Sequence, residues 1–215
     1  MNGEDKTLTL FRPVGLIELG LIFDSGMKEF PPRLPEQPIF YPVLNQAYAR
    51  QIAKDWNATS AQSGFAGFVT KFEIPSDYAA SFPVKTVGAS VHQELWVIAE
   101  QLQEFNSRIV GHIQTVEAYF NENFIGTIPD QFMLKGKNAV EQFVSLAAII
   151  DYSGMDFICE TNANAKAIYL NYPFWITHDF SESGVSEPKK QKVLKAILEI
   201  WPKRLASVSP CSGPI

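Results

Sequence analysis

Four groups of residues have the types and spacing to do chemistry. Arg12 ends a run of alternating polar and apolar residues (7–11) and is followed directly by Pro13, Val14 and Gly15. A guanidinium in such a frame can clamp a phosphate or a ribose with its planar fork of donors; the competing reading is an ion pair at a strand end. His92 and Glu94 lie two apart in a strand-like run, so a period of two puts an imidazole and a carboxylate side by side on one sheet face. Such a pair can serve as base and charge stabiliser, or it can lie on a solvated face. Tyr41 and Asn45 follow a proline-dense segment, where an aromatic ring can stack on a planar ligand and an amide can bind it; the alternative for Tyr41 is core packing. His178 and Asp179 are adjacent at the end of an apolar run, and neighbours in a strand point to opposite sides, which makes a poor dyad.

These side chains need elements to position them. Residues 7–11 read as a first strand that delivers Arg12 to its tip, and residues 16–25 carry apolar positions at helical spacing up to Gly26. Residues 31–38 hold four prolines and cannot be helix or inner strand. A short strand at 39–41 follows, and Asn45 caps a helix running to Asp55 whose apolar face carries Ala49, Ile52, Ala53 and Trp56. We expect Trp56 in the core. Strands are predicted at 64–74, 84–87, 91–98 and 109–120, with a short helix at 99–106. Runs of strands without regular βαβ alternation, and without a G-x-G-x-x-G turn, do not support a doubly wound nucleotide fold.

Gly126, Pro129 and Gly136 mark a connector. Beyond it, an amphipathic helix at 140–150, a hairpin of strands 156–161 and 165–172 about Asn162 to Asn164, and a helix over 187–205 are predicted. The fold class is therefore read as α+β: a first domain (1–125), a connector (126–136), and a small αββα module (137–215) expected to pack on the first domain. Cys159, between apolar neighbours, reads as a small buried hydrophobe.

Composition narrows the function classes. With 46% hydrophobic and 19% charged residues, 215 residues suffice for a full core. A net charge of −5 gives no footprint for broad nucleic-acid binding. No apolar run is long enough to cross a bilayer, so no membrane association is expected. Two cysteines without metal spacing, and a polar, acidic start, point to a reducing cytoplasm. Patterns for a Gly-rich phosphate loop, HExxH, GxSxG, paired CxxC or an Asp-rich metal site are absent, which disfavours metal catalysis.

Taken in order, residues 10–15 (LFRPVG), 30–45 (FPPRLPEQPIFYPVLN), 48–56 (YARQIAKDW), 94–97 (ELWV) and 104–106 (EFN) resemble the ADP-ribosyltransferase superfamily, in particular a small bacterial family described as ADP-ribosylation/crystallin J1. The resemblance covers about residues 8–120 and implies a split-sheet ADP-ribosyltransferase-like first domain. It implies that NAD is the substrate, that Arg12 holds its ribose or phosphate, that Tyr41 stacks on or walls the nicotinamide, and that Glu94 binds the ribose 2′-hydroxyl. His92 stands where relatives often carry Glu or Gln to orient the accepting nucleophile, and can act as a base. Breaking the nicotinamide bond builds positive charge on the ribose, which a fixed carboxylate stabilises.

The family's usual Ser-Thr-Ser element is absent; the second strand reads IFYPVLN. The resemblance therefore implies either ADP-ribosyl transfer or NAD glycohydrolysis, in a bacterial toxin or conflict-system enzyme with a regulatory partner, or a non-enzymatic binding or immunity module that keeps the fold. The NAD reading requires the guanidinium of Arg12 and the carboxylate of Glu94 to face each other across one cleft.

Overall fold

Alternation along residues 7–15 and 66–75 gives each segment one apolar face, and the two faces bury together only if the segments pair as a ladder. The computed structural model describes residues 6–88 and 91–211. Its first unit, Met1–Asn121, contains β1 (Thr7–Gly15), α1 (Leu16–Asp24), β2 (Ile39–Phe40), α2 (Gln46–Ile52), β3 (Ala66–Pro75), α3 (Ser76–Ala79), β4 (Val84–Thr86), β5 (Gln93–Leu95), β6 (Val97–Ile98), α4 (Leu102–Ser107) and β7 (Val110–Phe120). The second, Glu122–Ile215, contains α5 (Ala139–Tyr152), α6 (Gly154–Ala163), α7 (Ala165–Thr177) and α8 (Glu187–Glu199). Helices and small open sheets together make the chain α+β.

In the first unit, β3 lies between β1 and β7, antiparallel to both. Val43 extends this sheet: it bridges Phe11 of β1 on one side and Glu94 of β5 on the other, and β5 pairs in turn with β4. One face carries Leu10, Arg12 and Val14 beside Phe68, Thr70 and Phe72, all buried. Phe30, Phe40, Phe72 and Phe105 pack there with ring centroids 4.8 to 6.0 Å apart. Asn106 fixes the chain at Phe30 by accepting from its N–H and donating to its carbonyl.

The other face receives α2. Val43, Tyr48, Ala49, Ala53 and Val69 form its core, with Phe11, Ile52 and Tyr119 against them. The helix comes very close to the sheet: a Cβ on Gly67 would stand 1.9 Å from the carbonyl oxygen of Ala53. That approach coincides with a π-helical turn at Ala53–Asn57, in which the Ala58 N–H reaches back five residues to Ala53. The wider turn breaks the 3.6-residue register, so Trp56, expected in the core, is instead 61% exposed.

The expected strand over 91–98 is split. Trp96 donates its N–H to Pro83, and the chain changes partners there, from β4 and residues 42–44 to β2. His92 precedes β5 and closes the turn from β4, where Val87 donates to the His92 carbonyl.

In the second unit the expected αββα order is incorrect. Residues 156–161 and 165–172 lie in α6 and α7, and no strand occurs among the described residues of this unit. Ile, Thr and Tyr gave the run a β-like content, but Ile168, Tyr172 and Trp175 recur at helical spacing and are all buried. Helix α7 is buried on nearly every side, with Phe143 of α5 and Leu194 and Ile197 of α8 in the same core. Cys159 therefore sits on a helix and is exposed, not a buried strand residue. The fully buried Asn171 bonds Thr127 and Gln142. Gly126 passes it at a positive φ of 80°, where a Cβ would lie 2.6 Å from the Asn171 side-chain oxygen. No helix among the described residues is long and apolar enough to cross a membrane.

Because the π-turn that continues α2 meets β3 backbone to backbone at Gly67, even one methyl group has no room there. Gly67→Ala is expected to lower the stability of the first unit by roughly 3 kcal/mol, read as a drop in its urea midpoint; an unchanged midpoint would refute the close packing of α2 on β3.

Candidate functional site

Side-chain direction in this sheet follows from its pairing. Directly paired residues project from the same face and consecutive ones from opposite faces. Phe11 pairs with Val43, and Val43 pairs with Glu94. Glu94 therefore shares a face with Phe11, and Arg12, the next residue, projects from the other. The opposed guanidinium and carboxylate that the NAD reading required do not form.

Glu94 sits among aromatic side chains on the α2 face. Its carboxylate accepts from the Tyr48 hydroxyl at 2.9 Å and from the Trp96 indole N–H at 3.3 Å. The His92 ring stacks on Tyr48 with centroids 4.2 Å apart, and its Nδ1 lies 3.1 Å from the Val87 carbonyl. Tyr41 meets Trp96 edge to face at 5.5 Å. Lys85 is the cross-strand partner of Glu94, and its ammonium lies 5.8 Å from the Trp96 ring centroid. A carboxylate oriented by two donors and walled by aromatic rings favours a cationic, planar guest.

Of the expected site residues, His92, Glu94 and Tyr41 are gathered here, while Arg12 and Asn45 take other roles. Asn45 uses its side-chain oxygen to accept from the Ala47 N–H at 2.8 Å, capping α2. The cap sets the start of the helix that presents Tyr48 one turn later. Arg12 is 8% exposed. Its Nε donates to Glu18 at 2.9 Å and its second amino group to the other Glu18 oxygen at 3.4 Å, while the third nitrogen donates to the Tyr41 carbonyl. The guanidinium also stands 4.8 Å from the centroid of the Phe40 ring.

Tyr48 had no assigned role in the sequence; its signal was its place one turn inside a capped helix. Burial, then the hydrogen bond to Glu94, pushes its hydroxyl up to about 12, so it remains a donor across the physiological range. In the second unit, His178 packs between Phe174 and Phe180, and burial lowers its pKa. Asp179 accepts from the Ser181 N–H, so the two are not a dyad.

A second carboxylate fixes α2 to the sheet. Glu117 of β7 is 3% exposed and receives two bonds from Arg50, at 2.6 and 2.8 Å, and one each from Gln46 and Tyr119, both at 2.7 Å. Arg50, with lesser help from Tyr119 and Gln46, outweighs burial and holds the carboxyl at about 2, below its ordinary 4.5. The folded-state value is the lower one, so this contribution to stability is complete above about pH 4.5 and is lost as the pH falls through about 2. Arg50 is half exposed, and solvent shares its charge. Glu117→Gln is therefore expected to cost roughly 2 kcal/mol at neutral pH, less than the 3–5 kcal/mol of a fully buried pair. It should also flatten the acid limb of the stability curve measured in urea between pH 5 and 2; an unaltered acid limb would contradict this assignment.

No protein-family model, curated protein or solved structure matches the chain.

Proposed function

We propose that the first unit binds NAD without the Arg12–Glu94 cleft that the family resemblance required, with its nicotinamide ring among Tyr41, Tyr48, His92 and Trp96, and breaks the nicotinamide–ribose bond beside Glu94, by ADP-ribosyl transfer or NAD glycohydrolysis. The observation that carries this reading is the Glu94 carboxylate, oriented by Tyr48 and Trp96 with the His92 and Tyr41 rings packed against those two. A pyridinium is a planar cation, which aromatic faces and a nearby carboxylate both attract. When the glycosidic C–N bond breaks, its electron pair leaves with nicotinamide, and the ribose becomes an oxocarbenium ion that a fixed carboxylate stabilises. Water or an acceptor hydroxyl then bonds to the anomeric carbon and gives up its proton, for which His92 is the neighbouring base. Lys85, exposed beside Trp96, supplies a positive charge for the diphosphate.

One observation favours a second reading. The arginine that the family resemblance assigns to the nucleotide lies on the opposite face and is committed to Glu18. A module that keeps the aromatic pocket for binding but lacks turnover, as a regulator or immunity protein, needs no guanidinium in that position.

Incubating the full chain with NAD and quantifying nicotinamide by chromatography separates the two. Release is expected, with Glu94→Gln reducing its rate about a hundredfold or more and Tyr48→Phe about tenfold, both with an unchanged circular dichroism spectrum. NAD binding by calorimetry without release establishes the binding module, and the absence of both removes NAD from the site.

A further inference from the structure

We propose that the face of the sheet opposite Glu94 carries a second ligand site, in which Arg33, beside the Arg12–Glu18 pair, binds the phosphate or carboxylate head of an organic anion with an apolar body. This site does not depend on the reading of the Glu94 face.

The charge balance makes the first case. The side chains of Arg12 and Arg33 are each 9% exposed, and among the described residues Glu18 is the one carboxylate that both approach. Arg12 takes both oxygens of Glu18. Arg33 reaches that carboxylate only at 3.9 Å, outside hydrogen-bond range. Its own bonds go to neutral oxygens, the Ile39 carbonyl at 3.2 Å and the Gln37 side chain at 3.3 Å. Two guanidiniums and one carboxylate leave one positive charge in a largely desolvated place, where an unpaired charge is costly. Burial, and then the charge of Arg12, lower the pKa of Arg33, as expected for a cation short of a counterion. An anion from solution would complete the set.

Shape makes the second. Both arginines line a cleft of about 340 Å³, whose wall also includes Gln62 and Ser63. The first turn of α1 lies along it, and no side chain caps that helix; its end adds a partial positive charge. At the rim stand Ile17 and Leu21, one turn apart on α1, and Leu34 of the proline loop, all exposed. Apolar groups around a cationic floor suit a ligand with a charged head and an aryl or alkyl body, not a bare inorganic ion. The prolines at 31, 32, 35 and 38 restrict the loop, and the bonds from Arg33 to its far end hold the guanidinium in place.

The test is an amide NMR titration of the full chain with phenyl phosphate, benzoate, phenol and inorganic phosphate. Phenyl phosphate or benzoate is expected to shift signals from residues 16–18 and 33–37 at submillimolar concentration. Inorganic phosphate should bind about tenfold more weakly, and neutral phenol should leave these signals in place. Arg33→Gln should weaken binding at least about tenfold. Leu34→Asp, an exposed rim change that leaves the core intact, should also weaken it by placing a like charge at the mouth. Glu94→Gln should leave anion binding unaffected, and Arg33→Gln should leave NAD turnover unaffected, so failure here is distinct from failure at the other face. Shifts confined to other surfaces, tighter binding of inorganic phosphate than of the aryl anions, or equal binding by the wild type and Leu34→Asp would each overturn the proposal.

Discussion

The first unit depends on a backbone constraint: Val43 pairs with two strands at once. By bridging Phe11 and Glu94 it joins the β4–β5 hairpin to the main ladder and, because paired residues share a face, it decides which side chains can ever meet. A shift of one residue in either pairing would exchange the faces. Glu94 would then leave its Tyr48 and Trp96 donors for the phenylalanine core, where a carboxylate without donors is heavily penalised.

The α2 face is built on close contact, and its polar groups are arranged to tolerate it. Gly67 lets the helix backbone rest on β3, and the π-turn at Ala53 follows the sheet there. Apolar contact alone would leave the helix free to slide. Glu117, with bonds from Gln46, Arg50 and Tyr119, ties two successive turns of α2 to β7, and Asn45 fixes where the helix begins. Tyr48 lies between those anchors, so its hydroxyl reaches Glu94 from a rigid element and not from a loop. Preorganised donors of this kind orient a carboxylate without requiring reorganisation when a ligand arrives.

Much of this was legible in the residues, and what was not shares a cause. Alternation located β1 and β3, β-favouring content located β7, the cap at Asn45 located α2, and the prolines located the loop. Those signals act within a few residues. The face from which Arg12 projects relative to Glu94 depends on a register between segments some eighty residues apart, which no local pattern encodes. Trp56 was misplaced because a π-turn interrupts the helical period, and the break of the strand at Trp96 reflects a change of partners. In the second unit, β-branched and aromatic residues outweighed a helical spacing that burial makes plain in Ile168, Tyr172 and Trp175. Propensity yields to packing when a segment is buried on all sides, as α7 is.

The sidedness of the sheet also bears on its electrostatics. Were Arg12 and Glu94 on one face within reach, they would neutralise each other, and any ligand would first have to break an ion pair. Separated by the sheet, each is held by its own neighbours: Arg12 by Glu18 and the Tyr41 carbonyl, Glu94 by Tyr48 and Trp96. The two hydrogen-bond donors to Glu94 are neutral, and the one charged neighbour named on its face is its cross-strand partner Lys85. Arg33, beside the satisfied Arg12–Glu18 pair, keeps its positive charge toward an anionic guest. The residue between β2 and α2 that joins these faces is Tyr41, whose carbonyl accepts from Arg12 while its ring packs on Trp96.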